Sequence, residues 1–192
     1  MDTLSLSFIL VILIIVLFYV KEQQIEVIFV KSKEDNNKYL VRNTHKKQQV
    51  ADIIGRLNLK IEKLLTHLQN NKKNNDLFLK IKQKYNSNIL SEGTEDSGYT
   101  SYSVNKERIV LCIRTRGDSP NVFVDENTLL YVTIHEIAHL GTDEIGHTPE
   151  FWKNFKLLLS IARDHKIYKY INYAAKNEIY CGVKLSSNIL DS

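Results

Sequence analysis

A chain of 192 residues with 43% apolar residues is long enough for one domain with a buried core and a short appendage, and two prolines with seven glycines exclude a long disordered linker. The net charge of +4 is unevenly spread: residues 21–90 hold 15 Lys+Arg against 7 Asp+Glu, a net +8, whereas residues 91–192 hold 11 against 14, a net −3. The basic half makes nucleic acid or anionic lipid headgroups candidate partners, but no basic run exceeds two consecutive residues, which favours a solvated helix surface.

From Thr3 to Val20 no residue is charged. As a helix, Leu4–Val20 would span about 26 Å, the short end of the range for a bilayer crossing. The segment lacks the basic start and small-residue cleavage site of a signal peptide, and it shows no polar face of the kind an amphipathic helix carries. Lys21, Lys31, Lys33 and Lys38 follow it and no cation precedes it. The positive-inside rule then predicts a single-pass membrane protein, with residues 1–20 as the transmembrane anchor and residues 21–192 as a cytosolic domain. Two cysteines do not make a disulfide framework, and in a reducing compartment Cys112 and Cys181 are expected as free thiols.

Further along, Ile25–Val30 and Lys38–Arg42 read as a short β-hairpin around Glu34-Asp35-Asn36-Asn37. Val50, Ile53, Ile54, Leu57, Ile61, Leu64, Leu65 and Leu68 recur at helical spacing, so an amphipathic helix is predicted up to Asn70-Asn71. A shorter helix is expected over Asp76–Tyr85, and a polar loop over residues 91–98. Tyr99–Val104 and Arg108–Arg114 have the composition of strands, followed by a loop over Gly117–Asn121. Asp125 or Asn127 can cap the next helix, and Thr148-Pro149 can open the one after, which would bury Phe151, Trp152, Phe155, Leu158, Leu159 and Ala162.

The helix expected after Asp125 carries His135-Glu136-Ile137-Ala138-His139. Four residues apart on a helix, the two imidazoles share a face and can reach one cation, while Glu136 sits beside that face and can reach a water on the metal. Imidazole suits Zn²⁺, which lowers the pKa of its water toward neutrality so that Glu136 can act as general base. A chance match to the bare motif in this composition has a probability of roughly 1%. The flanks Leu129, Leu130, Val132, Ile134, Ile137, Ala138 and Leu140 make the helix largely apolar, and buried imidazoles and a carboxyl need a partner such as a metal. A catalytic zinc takes a third protein ligand and keeps an open position. His147, beside Gly146, suits that place; Asp143, Glu144, Glu150 and His165 compete for it.

The segment His135-Glu-Ile-Ala-His139…Gly146-His147-Thr-Pro-Glu-Phe151-Trp152 resembles the WLM and SprT-like zinc metallopeptidases. From about Lys38 to Leu190 the chain resembles uncharacterised WLM-type proteins of large DNA viruses, through Tyr39-Leu-Val-Arg42, Tyr99-Thr-Ser-Tyr102, Asn105-Lys106, Leu111-Cys-Ile-Arg114 and Tyr180-Cys-Gly182. The resemblance implies a minimal zincin-like fold, His135, His139 and His147 as zinc ligands, and Glu136 as the base. It departs from the metzincin pattern, whose third histidine comes sooner. Members of the WLM and SprT group are associated with cleaving proteins crosslinked to DNA.

The expectation is therefore an α+β domain, a short sheet against several helices, behind a membrane helix. Its activity would be hydrolysis of peptide bonds in a protein or peptide substrate; the alternative is a catalytically silent, zinc-stabilised interaction module tethered to a membrane. The strand Ile109–Ile113 is a candidate edge for pairing with extended substrate, and Tyr173, Tyr180 and His165 are candidate oxyanion donors. Phe151 and Trp152 are expected in the core.

Overall fold

The computed structural model describes residues 7–16, 26–94, 102–104, 107–115, 122–187 and 189–191. The organising element is the long helix α2, Lys47–Gln69. Its apolar stripe from Val50 to Leu68 is buried as the spacing predicts, and it packs on the sheet on one side and on the later helices on another.

The hairpin expected near the N-terminal end of the domain is present. Strands β1, Val27–Lys31, and β2, Lys38–Arg42, pair antiparallel from Val27↔Arg42 to Lys31↔Lys38. The Asp35 carboxylate organises the turn, accepting from the Asn37 amide at 3.1 Å and from Asn58 Nδ2 of α2 at 2.9 Å. The shorter helix α3 covers Asn75–Lys84.

Residues 91–98 were expected as a loop, but Leu90–Glu92 form strand β3 in the interior of the sheet; residues 95–98 lie outside the described part. A three-residue strand reading Leu-Ser-Glu shows no apolar pattern. It is held by its partners, because the Glu92 carboxylate accepts from Arg114 Nε at 2.6 Å, from Arg114 Nη2 at 2.7 Å and from the Arg42 amide at 2.7 Å. All three residues are buried, and a buried carboxylate persists only when paired in this way.

Strand β4, Tyr102–Val104, and strand β5, Arg108–Leu111, complete the five-stranded order β1-β2-β3-β5-β4. Strands β2, β3 and β5 run parallel, and the outer pairs are antiparallel. The expectation that Ile109–Ile113 forms an edge is corrected: β5 lies between β3 and β4, and among the described residues β4 is the outermost strand on that side. The strand also ends earlier than predicted, with Arg114 continuing as a single bridge to Phe123. Tyr99–Ser101 and Gly117–Asn121 lie outside the described residues.

Three helices follow: α4, Glu126–Leu140, α5, Pro149–Asp164, and the short α6, Tyr173–Lys176. A two-stranded hairpin, β6 Ile179–Tyr180 with β7 Val183–Lys184, comes last. Cys112 and Cys181 are joined as a disulfide, which corrects the expectation of two free thiols. The fold brings the end of β5 against the turn of this hairpin, with the two Cα atoms 6.5 Å apart, within ordinary bridging range.

Near the chain start, helix α1 is described over residues 7–16, where every residue is exposed. Ten residues span about 15 Å, half the thickness of a bilayer core. Among the described residues no helix is long and apolar enough to cross a membrane; residues 4–6 and 17–20 of the apolar run lie outside them. The architecture is thus α+β, as expected, without a described membrane span.

Candidate metal centre

Helix α4 begins where its sequence says it should. The Asp125 side chain accepts from the amides of Asn127 and Thr128, both at 3.1 Å, which satisfies two of the amides a helix start leaves unpaired. From there the helix runs through the core, with Leu129, Leu130, Ile134, Ile137, Ala138 and Leu140 buried. His135 and His139 emerge from this helix on one face, their ring centroids 5.1 Å apart.

The third histidine arrives by a turn and a cap. Gly146 has φ +89°, a left-handed conformation that costs glycine little and other residues more, and a Cβ there would meet nothing within 4 Å. Thr148 then caps α5, its hydroxyl accepting from the Phe151 amide at 3.3 Å, with Pro149 in the first turn. His147 is thereby set against α4. Its ring lies 4.9 Å from that of His135 and 5.1 Å from that of His139, and the Nε2 atoms of His147 and His135 are 3.0 Å apart.

One ring nitrogen from each of His135, His139 and His147 lies within 4.8 Å of the others. Three nitrogens bound to one tetrahedral ion at 2.0–2.1 Å sit about 3.3 Å from each other, so small side-chain adjustments suffice for the three to share a small divalent cation. The donor chemistry agrees. Burial and the neighbouring His139 and His147 push His135 down to about 3, so it stays neutral and keeps a lone pair for a metal. Glu136 is 6% exposed, and burial alone pushes its carboxyl up to about 7.

Phe151 supports all three imidazoles. It is fully buried, stacks on His139 at 4.2 Å and 26°, and lies 4.8 Å from His135 and 4.7 Å from His147. Its place in the core is as expected, whereas Trp152 is 36% exposed beside His147, at 5.4 Å, and so belongs to the rim.

No known family model matches the chain, and no solved structure does. An uncharacterised protein of Acanthamoeba polyphaga mimivirus is 33% identical over 97% of this chain and 96% of its own length. The chain belongs to this family of large-DNA-virus proteins. An uncharacterised protein of invertebrate iridescent virus 6 is 31% identical over 79% of the chain and 85% of its own length. A third, from invertebrate iridescent virus 3, is 37% identical over 43% of the chain and 50% of its own.

Within this viral fold the rival third ligands are engaged elsewhere or stand apart. Asp143 lies 2.7 Å and Glu150 3.6 Å from Lys80 Nζ of α3. His165 stacks on His67, centroids 3.6 Å apart. Glu144 is exposed on the loop and does not join the histidine group. The suggested oxyanion donors are also bound elsewhere: Tyr173 donates to Thr128 Oγ1 at 3.2 Å, and the Tyr180 hydroxyl accepts from the Cys112 amide at 3.0 Å.

Sequence reasoning missed the residues that hold the end of α4. Asn154 of α5 donates to the Gly141 carbonyl at 3.3 Å and to Thr142 Oγ1 at 3.2 Å, and Lys84 donates to the Leu140 carbonyl at 2.9 Å. The only available signal was a polar residue at a core position of α5. Gly141, where α4 ends, has an ordinary helical φ of −84°. Its role is close packing, since a Cβ there would meet Leu77 Cδ1 at 2.4 Å and Ile81 Cγ1 at 3.0 Å.

Proposed function

We propose that this viral chain is a zinc-dependent metallopeptidase of the WLM/SprT-like kind, held at a membrane by its apolar N-terminal segment. One observation carries the reading: three imidazoles, two from α4 and one from the segment before α5, converge, and the residue of α4 that follows the first of them, Glu136, is buried with no ion-pair partner among the described residues. A zinc ion held by His135, His139 and His147 would polarise a water and a substrate carbonyl.

The chain's own residues do the rest. Glu136 takes the proton of the attacking water as the new C–O bond forms, and passes it to the amide nitrogen as the C–N bond breaks. Its raised proton affinity suits both halves of that shuttle. An extended substrate can add to the outer edge of β4, which packs against α4, in place of the β5 edge expected at first. Membrane attachment draws on α1, where Phe8 to Val16 are all exposed apolar residues.

A silent zinc module would need a fourth protein ligand to close the site. Among the described residues only these three converge, which favours an open, catalytic position. The test is metal content and turnover of the full chain. Wild type is expected to hold about one zinc per chain, His147→Ala to lose it or bind it far more weakly, and Glu136→Gln to keep zinc while peptide hydrolysis falls below about 10% of wild type. A folded wild type without zinc would end the proposal; zinc without turnover on any denatured-protein or peptide substrate would leave the silent module.

A further inference from the structure

Lys80 stands on α3, yet its ammonium reaches the segment that carries His147. Nζ lies 2.7 Å from Asp143 Oδ2 and 3.6 Å from Glu150 Oε1, with Asp76, one turn back on its own helix, at 3.5 Å. Asp143 opens the exposed stretch that follows α4, and Glu150 lies in the first turn of α5. His147 sits between them, so a single cation meets both ends of the ligand loop. One turn further along α3, Lys84 bonds the Leu140 carbonyl at 2.9 Å, so the same helix also holds the end of α4 from which the loop departs.

We propose that Lys80 is a positioning residue for the third metal ligand: it clamps the 143–150 segment to α3 and so holds the His147 imidazole against His135 and His139. The inference rests on the reading of the three histidines as a metal centre. Residues 143–147 are all exposed, and Gly146, at φ +89°, lacks the Cβ that would restrict the backbone of the loop there. Without a tether the ordering of this loop falls on metal binding itself, and the cation binds more weakly by that entropy. Exposed ion pairs add little to global stability. The clamp is therefore read on metal affinity and not on the unfolding transition.

The experiment titrates zinc into the metal-free full chain against a competing chelator, for wild type, Lys80→Met and Lys80→Arg. Lys80→Met keeps the apolar stem and removes the charge. It is expected to weaken zinc binding about three- to tenfold at low ionic strength, less than the loss of a partner bonded directly to a ligand. The melting temperature of its metal-free form should stay within about 2 °C of wild type, and Lys80→Arg should restore the affinity. Raising NaCl to about 0.5 M should narrow the gap between wild type and Lys80→Met by screening the pairs. Wild-type affinity in Lys80→Met overturns the clamp and leaves the metal centre standing. So does a larger melting shift, which would mark general loosening, or a loss that arginine does not restore. A wild type that takes up no zinc overturns the metal centre and the clamp together.

Discussion

Glu136 and His135 are neighbours pulled in opposite directions by the same burial. The glutamate is pushed up from 4.5 to about 7 and the histidine down from 6.5 to about 3. In the metal-free protein the sign of each effect on stability follows from proton counting. Between pH 4.5 and about 7 the folded chain keeps the Glu136 proton that the unfolded chain has lost, so stability falls as pH rises through that window. The full loss is roughly 3 kcal/mol. His135 contributes the reverse: the unfolded chain takes up its proton as pH drops below 6.5 and the folded chain resists until about 3, so stability falls toward acid. Glu136→Gln removes only the first effect. Urea titrations of metal-free wild type and Glu136→Gln should give stabilities that converge near pH 4.5 and diverge by up to about 3 kcal/mol at pH 7.5, with the variant the more stable. A difference that does not change with pH would show that the carboxyl is solvated.

The first turn of α5 joins two tasks, and its consecutive aromatic residues separate them. Phe151 is fully buried under all three histidines, while Trp152 is 36% exposed at their rim. Phe151→Ala should cost the metal-free protein about 3–5 kcal/mol and Trp152→Ala under about 1 kcal/mol, read as denaturant midpoints; equal costs would remove Phe151 from its place as the support. That α5 begins at Thr148-Pro149, that α4 is capped by Asp125 and that α2 buries a continuous stripe were all legible in the sequence, because caps and periodicity are local signals. The convergence of the three histidines was legible for the same reason: spacing within one helix places two imidazoles, and a glycine nearby signals the turn that delivers the third. What was not legible depends on distant partners. β3 exists as an interior strand because Arg42 and Arg114, 50 and 22 residues away, neutralise Glu92. The interior place of β5 follows from crossovers that composition does not encode. The pairing of Asp143 and Glu150 with Lys80 depends on the packing of α3, which brings that lysine near.

Taken as one body, the chain is closed by a link that its sequence led us to discount. The free-thiol expectation followed from a cytosolic placement, itself inferred from four lysines after the apolar segment; in the fold the two cysteines are bonded to each other. The bridge between Cys112 and Cys181 spans 69 positions, and the loop it closes contains α4, the His147 segment and α5, hence every residue of the candidate centre. It also fastens the C-terminal hairpin beside β5, where Tyr180 accepts the Cys112 amide. Closing a loop of that length stabilises a fold by about 4 kcal/mol on the chain-entropy account, a large share of the stability of a domain this size. The native chain should therefore show no reactive thiol under denaturing, non-reducing conditions and two after treatment with a phosphine reductant, which removes the bridge without a thiol that could bind the metal. The denaturant midpoint should fall on reduction, and Cys112→Ser/Cys181→Ser should reproduce the fall while no longer responding to the reductant. If the untreated denatured chain shows two thiols, or if reduction leaves the midpoint unchanged, the closing link is not what holds the loop around the centre, and the packing of α4 and α5 on α2 must do so alone.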